Sequence, residues 1–296
     1  MSFLSGFIAI VGRPNAGKST LLNKLTGEKI AIISSKPQTT RNKILGILTE
    51  DDYQVVFVDT PGIHRAKNRL GEYMNKMVTS AIDEVDAALL IADATREIGT
   101  PEELLIKELK DKKIPTVLVI NKTDAVAKET LLPLIEQFTS MHSFESVLLI
   151  SAKQGDGVAE VMEEIKKYLP EGPMYYPDDM ITDKTEREIA AEIVREKLLR
   201  LLDKEIPHGT AVETASMKED DNIIRIEVNI YCEKSTHKAI IIGKNGAMLK
   251  RIGSYAREDM EKFFGKKIYL QTWVKVKDDW RNNNFMLKNF GFSEQS

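Results

Sequence analysis

One string near the start, Gly12-Arg13-Pro14-Asn15-Ala16-Gly17-Lys18-Ser19-Thr20, constrains this chain more than any other. Its spacing is Gly, four residues, Gly-Lys-Ser/Thr. The preceding Phe7-Ile8-Ala9-Ile10-Val11 is short, apolar and rich in β-branched residues, which reads as a buried strand. The following Thr20-Leu21-Leu22-Asn23-Lys24-Leu25 sets its leucines on one face of a helix. Strand, glycine loop and helix are the setting in which such a string holds a polyphosphate. Glycines let the backbone turn tightly, and successive N–H groups with the positive helix end meet the anion. In that setting Lys18 reaches the β- and γ-phosphates and Ser19 ligates Mg²⁺.

More short strings follow the apolar runs downstream. Tyr53-Gln54-Val55-Val56-Phe57-Val58 ends in Asp59-Thr60-Pro61-Gly62. Asp59 can hold Mg²⁺ through water, and Gly62 can offer an unobstructed N–H to a γ-phosphate. Between these strings lies the polar stretch Ser34-Ser35-Lys36-Pro37-Gln38-Thr39-Thr40-Arg41, read as irregular. Thr40, then Thr39, is the candidate to give a hydroxyl to Mg²⁺ when a γ-phosphate is present. Thr116-Val117-Leu118-Val119-Ile120 ends in Asn121-Lys122-Thr123-Asp124. A carboxylate at Asp124 accepts from N1–H and the 2-amino group of guanine, whereas adenine has neither donor and would leave it unsatisfied. The aliphatic stem of Lys122 covers the base face, while Asn121 either ties loops together or meets the base edge. Val147-Leu148-Leu149-Ile150 leads to Ser151-Ala152-Lys153, where the Ala152 N–H can donate to guanine O6. Helices expected near 72–84, 101–112, 129–141 and 157–168 alternate with the strands. That pattern gives an α/β domain with a mainly parallel sheet and ligand at its C-terminal edge. His64 sits in a polar, basic run and reads as an exposed loop residue rather than a base.

The chain has 296 residues, enough for two domains, and a net charge of −3 that is unevenly spread. Residues 223–296 carry fourteen Lys/Arg against eight Asp/Glu, and the preceding part 28 against 37. A basic module on an acidic body points to a polyanionic partner. Cys232 is the only cysteine, so no internal disulfide forms, as in a reducing compartment. It lies in an alternating apolar run and reads as a strand residue. No apolar run approaches the roughly 20 residues that span a bilayer. Three prolines and a glycine within Pro170–Pro177 mark a stiff linker. The expected domains are therefore 1–170, a linker 171–182, a smaller α+β domain 183–277 and a tail 278–296.

Within the smaller domain a helical pattern from 183 to about 202 precedes two strand patterns, 210–217 and 223–232, with 218–222 as their loop. A helix then runs through Ile242 into Gly243-Lys244-Asn245-Gly246, a second helix leaves it, and 267–274 forms the last strand. Lys238, Lys250 and Arg251 are candidate phosphate contacts, and Ile240, Ile241 and Ile242 divide between core and groove floor. In the tail, Trp280 and Arg281 either touch a polyanion or pack on the body.

The first set of motifs resembles the translation-factor class of GTPases, which implies GTP/GDP as ligand, Mg²⁺ and a γ-phosphate-dependent switch. Lys18, Thr40 and Gly62 would serve catalysis. Ser19, Thr40 and Asp59 would hold the metal. Gly12 to Thr20 and Asp59 to Ile63 would hold the phosphates, and Asn121 to Asp124 with Ser151 to Lys153 the guanine. Ras-like members carry a glutamine after Asp-x-x-Gly to orient water; this chain has Ile63, so slow intrinsic turnover is expected. In GTPases similar to this one an asparagine at Asn15 helps hold K⁺. The second set resembles a type II KH domain, whose Gly-x-x-Gly loop clamps about four nucleotides of a single strand. Lys238, Ile242, Gly243, Lys244, Asn245, Gly246, Lys250 and Arg251 would then meet RNA. Together, over the whole chain, they resemble the Era family of bacterial GTPases. That resemblance implies the 3′ end of 16S rRNA and the 30S subunit as partners, ribosome assembly as the process, and a cytoplasmic protein touching the inner membrane face. No coiled-coil pattern is present, so a monomer is expected. Two other readings stay open: a GTPase whose KH-like module docks a protein or membrane, and a constitutive RNA binder with vestigial GTPase activity.

Overall fold

The computed structural model describes residues 2–34, 36, 38–63 and 66–292. The sequence readings of Ser35, Pro37, His64, Arg65 and the chain beyond Phe292 fall outside them. The chain divides into two compact units. The first comprises Met1–Ile33, Thr40–Ala66 and Met74–Asp183, and the second Ser34–Thr39, Lys67–Tyr73 and Lys184–Ser296.

The first unit is built on β1 (Leu4–Gly12), α1 (Lys18–Thr26), β2 (Ile44–Thr49), β3 (Tyr53–Asp59), α2 (Arg69–Ile82) from Met74 onward, β4 (Ala87–Asp93), α3 (Thr100–Asp111), β5 (Thr116–Asn121), α4 (Leu131–Met141), β6 (Ser146–Ile150) and α5 (Val158–Lys166). The strands form one sheet in the order β2-β3-β1-β4-β5-β6. All neighbours run parallel except β2 and β3. The strands are apolar on both faces because both are covered. Ile8 and Ile10 pack with Leu21, Phe57 and Leu89 on one side; Ala9 and Val11 pack with Val78, Leu90 and Leu105 on the other. The sequence reading had no strand at β2, although Ile44-Leu45-Gly46-Ile47-Leu48 is apolar. The polar stretch before it drew the whole region toward loop. Parallel pairing brings the ends of β1, β3, β5 and β6 to one edge of the sheet, where the motifs lie.

The proline-rich segment is pinned along this unit. Glu171 bridges Leu4 and Thr182 bridges Gly46. The fully buried Gln54 accepts from the N–H groups of Tyr175 and Tyr176 at 2.8 and 3.0 Å and donates to the Tyr176 carbonyl at 2.9 Å.

The second unit contains α6 (Glu186–Leu201), β7 (Thr210–Asp220), β8 (Ile223–Cys232), α7 (Ser235–Ile242), α8 (Ala247–Phe264), β9 (Lys267–Val276) and a short α9 (Asn284–Asn289). Thr185 and Glu188 form a capping box that starts α6. The sheet order is β7-β8-β9, antiparallel then parallel. Ile224, Ile226, Val228 and Ile230 face Val194, Leu198, Ile252, Ala256 and Met260. The expected loop 218–222 is shorter than read. Lys218, Glu219 and Asp220 pair with Arg225, Ile224 and Ile223, leaving Asp221-Asn222 as a two-residue turn. Their charges suit an exposed strand end as well as a loop, so polarity could not separate the two. Cys232 is fully buried in β8, and that burial pushes its thiol pKa up. In the tail Trp280 is fully buried and donates its indole N–H to the Gly209 carbonyl at 3.0 Å. Phe290 and Phe292 pack against its ring.

Candidate functional site

The loop between β1 and α1 takes its shape from backbone positions that ordinary residues resist. Gly17 has φ +103, and a Cβ there would lie 2.1 Å from the Asn121 amide nitrogen. Asn15 takes φ 65. Lys18 folds back so that Nζ donates to the carbonyls of Gly12 and Arg13, each at 3.1 Å. Burial lowers its pKa to about 8, against an opposing pull from the Asp59 charge. The Arg13 side chain turns away from the loop. Its Nη2 donates to Glu102 Oε2 at 2.6 Å, and the same carboxylate accepts the Gly99 N–H at the start of α3. Only the backbone of Arg13 is left to the phosphate cradle.

Ser19, Thr40 and Asp59 come together at the end of β3. The Ser19 hydroxyl lies 2.9 Å from both Thr40 Oγ1 and Asp59 Oδ2, and Thr40 Oγ1 lies 3.3 Å from that oxygen. Asp59 Oδ1 is buried with no hydrogen-bond partner among the described residues. Burial pushes the Asp59 carboxyl up to about 6, while the Lys18 charge and the Ser19 and Thr40 hydroxyls pull the other way. Two hydroxyls and an orphaned carboxylate oxygen form a hard-oxygen donor set suited to Mg²⁺ beside phosphates. Thr60 anchors the next residues through Oγ1 to the Ile10 carbonyl at 3.0 Å. Gly62 is pressed on the phosphate loop: a Cβ there would come within 2.4 Å of the Pro14 nitrogen. The Ile63 side chain packs on the apolar cluster of β4, α3 and β5.

At the far end of the edge, Asn121 donates to the Ala16 carbonyl at 2.8 Å and accepts the Ala152 N–H at 2.9 Å. Of its two possible roles it therefore ties loops. The N–H expected to meet guanine O6 is held by Asn121. Ser151 Oγ donates to Asp124 Oδ1 at 2.7 Å, and Thr123 Oγ1 to the Ile150 carbonyl at 3.0 Å. Lys153 is exposed on the following turn. Lys122, in left-handed backbone at φ 67, donates to Asp93 Oδ2 at 2.6 Å. Asp93 Oδ1 accepts from the Thr95 N–H and hydroxyl at 3.0 and 2.6 Å. Burial alone would raise the Asp93 carboxyl, but the Lys122 and Thr95 hydrogen bonds outweigh it and hold the pKa below the usual range. Sequence reasoning gave Asp93 no role. The available signal was an acid at a strand's C-terminal end, the placement shared by Asp59.

In the second unit Gly243 (φ +73) and Gly246 (φ +77) bracket the turn between α7 and α8, with Asn245 at φ 52. The two glycines differ. A Cβ on Gly243 would lie 2.8 Å from Met248 Cβ and 2.9 Å from its nitrogen, whereas Gly246 faces open space. Lys244, Asn245, Lys250 and Arg251 are exposed, and Lys238 is half-buried. Of the three isoleucines, Ile241 is core, Ile242 packs on the core and Ile240 is 49% exposed.

The family model of the 50S ribosome-binding GTPases matches residues 7–122, and that of the KH domain matches 205–281. GTPase Era of Alkaliphilus oremlandii is 52% identical over 99% of this chain and all of that one. This chain belongs to the Era family of GTPases. Era of Clostridium kluyveri is 51% identical over 97% of this chain and 99% of its own. Two solved Era structures superpose with a TM-score of 0.95 at 40% identity, covering 99% of this chain and 100% of theirs. One is Era with MgGDPNP and nucleotides 1506–1542 of 16S ribosomal RNA; the other is an Aquifex aeolicus Era variant bound to GDP and AlF₄⁻. The fold class is that of the Era family, a P-loop GTPase domain with a mainly parallel sheet and a C-terminal KH domain.

Proposed function

We propose that this protein hydrolyses GTP with Mg²⁺ and couples its nucleotide state to binding of single-stranded RNA at the 3′ end of 16S rRNA, in assembly of the 30S subunit. The observation that carries the nucleotide half is the convergence of Ser19, Thr40 and Asp59, with its unpartnered oxygen, beside Lys18. Solved Era bound to a GTP analogue and 16S rRNA nucleotides supports the RNA half. When bound, Mg²⁺ neutralises charge on the β- and γ-phosphate oxygens. Lys18 holds the same oxygens, releasing the Gly12 and Arg13 carbonyls. Thr40 and the Gly62 N–H report the γ-phosphate. Asp124 reads the guanine edge, held by Ser151, and Lys122 covers its face, held by Asp93. Ile63 has no group to orient water, so the attacking water is placed by backbone or a partner and intrinsic turnover is slow.

The chain order supports the coupling: Thr40 follows directly on Ser34–Thr39, which is grouped with the second unit. The Gly243–Gly246 turn with exposed Lys244, Lys250 and Arg251 receives the RNA backbone. The protein is taken to work as a cytoplasmic monomer that touches the membrane peripherally; no helix among the described residues is long and apolar enough to cross one. Asn15 is proposed to hold K⁺ beside the phosphates. Steady-state hydrolysis tests the site. Activity should be slow, Mg²⁺-dependent, faster in K⁺ than in Na⁺ and abolished in Lys18→Ala. Asn15→Ala should lose only the K⁺ response. Undiminished hydrolysis in Lys18→Ala would refute the assignment.

A further inference from the structure

The helix-free face of the second unit's sheet is a second place for nucleic acid. Along β9 the side chains alternate: Ile268, Leu270 and Val274 enter the core, and Lys267, Tyr269, Gln271, Trp273 and Lys275 take the opposite face. Tyr269 is 47% and Trp273 56% exposed. Four residues apart on one strand face, the two residues lie about 13 Å apart along the strand. The Arg225 guanidinium, paired in register with Tyr269, lies 5.7 Å over its ring. At the far end Lys275 lies 5.9 Å over Tyr231, which the tail closes with Phe290 at 4.7 Å. The tail thus covers one end of the face and leaves Tyr269 and Trp273 open. Residues 266–277 contain four lysines and no acid, while the adjoining hairpin brings acids beside them: Glu227 is exposed opposite Gln271, Arg225 Nε donates to Asp220 Oδ2 at 3.1 Å, and Lys266 pairs with Glu219.

We infer that Tyr269 and Trp273 form a stacking platform for bases of a single-stranded nucleic acid, with Lys267, Lys275 and Arg225 taking its phosphates. Separate exposed rings on a strand face that also presents Lys267 and Lys275 match base stacking on a sheet. A protein-docking patch would instead gather its apolar groups and shed lysine. This platform is additional to the Gly243–Gly246 turn and rests on the reading of the second unit as a nucleic-acid module. It would extend the stretch of strand bound beyond the few nucleotides one turn can hold.

The two tryptophans make it testable, because Trp280 is fully buried and a fluorescence change on binding reports Trp273. Full-length protein would be titrated with fluorescein-labelled single-stranded RNAs of about five and about twelve nucleotides. Anisotropy reports binding and tryptophan emission reports stacking. The longer RNA should quench emission. Tyr269→Ala with Trp273→Ala should weaken it at least about ten-fold, with binding of the shorter RNA and GTP hydrolysis unchanged. Trp273→Phe, which keeps a stacking ring, should retain most of the affinity. Saturation by the longer RNA without quenching, with wild-type affinity in the double variant, would overturn the proposal. Gly246→Asp separates the two sites. If it leaves the shorter RNA's affinity unchanged, the turn reading fails, and quenching by the longer RNA would still support the platform.

Discussion

Asp93 and Lys122 show how much of nucleotide recognition rests on a residue that need not touch the ligand. Lys122 is 35% exposed while Asp93 is 2% exposed, so solvent screens part of the attraction and the pair is worth about 0.5–1 kcal/mol. Asp93→Asn should weaken GDP binding roughly two- to five-fold without lowering the melting temperature much; an unchanged dissociation constant would contradict the bracing role. Lys18 gives a pH dependence. In the free protein its pKa is lowered to about 8, and phosphates at the site raise it. Binding above pH 8 therefore takes up a proton, and affinity falls there by up to about ten-fold per pH unit. Nucleotide titrations at fixed salt and several pH values should weaken above that range, and Mg²⁺-nucleotide binding should also weaken as pH falls through the Asp59 carboxyl, raised to about 6. These residues also mark what was legible. Lys18, Ser19, Asp59 and Asp124 stand in strings whose spacing carries chemistry. Asp93 stands in none, and its partner is twenty-nine positions away; only folding of adjacent parallel strands brings the two together. The contact of the Arg13 side chain with Glu102 was hidden for the same reason, because Glu102 is distant in sequence.

At the scale of elements the turn between α7 and α8 carries a contrast. Gly243→Ala brings a Cβ to 2.8 Å from Met248 in left-handed backbone and should cost about 2 kcal/mol or more. Gly246→Ala meets no neighbour and should cost only about 1 kcal/mol. Thermal or urea unfolding would check the pair, and equal losses would contradict the packing role of Gly243. Trp280→Ala should be severe, about 3–5 kcal/mol, because its ring is fully buried and its N–H is bonded. The sequence left open whether Trp280 packs or binds, since aromatic residues serve both ends. Strands β1, β3 and β5 were readable because burial on both faces imposes apolar runs. Strand β2 was hidden behind the polar stretch, and the β7–β8 turn was overlong because charges on a projecting hairpin resemble loop chemistry.

One chain carries both a nucleotide-site unit and a unit with the Gly243–Gly246 turn. That arrangement was legible as motif order: phosphate loop, Asp-Thr-Pro-Gly, Asn-Lys-Thr-Asp, then Gly-Lys-Asn-Gly. Motif order says nothing about the coupling itself. The deciding measurement is the affinity of a single-stranded oligonucleotide matching the 3′ end of 16S rRNA, at fixed salt because phosphate contacts make binding salt-dependent. The protein would be loaded with a non-hydrolysable GTP analogue, loaded with GDP, or left empty, with Gly246→Asp as control. The account predicts tightest binding with the GTP analogue, lost in Gly246→Asp. Equal affinity in all three states would contradict the coupling, and no binding in any of them would contradict the RNA function.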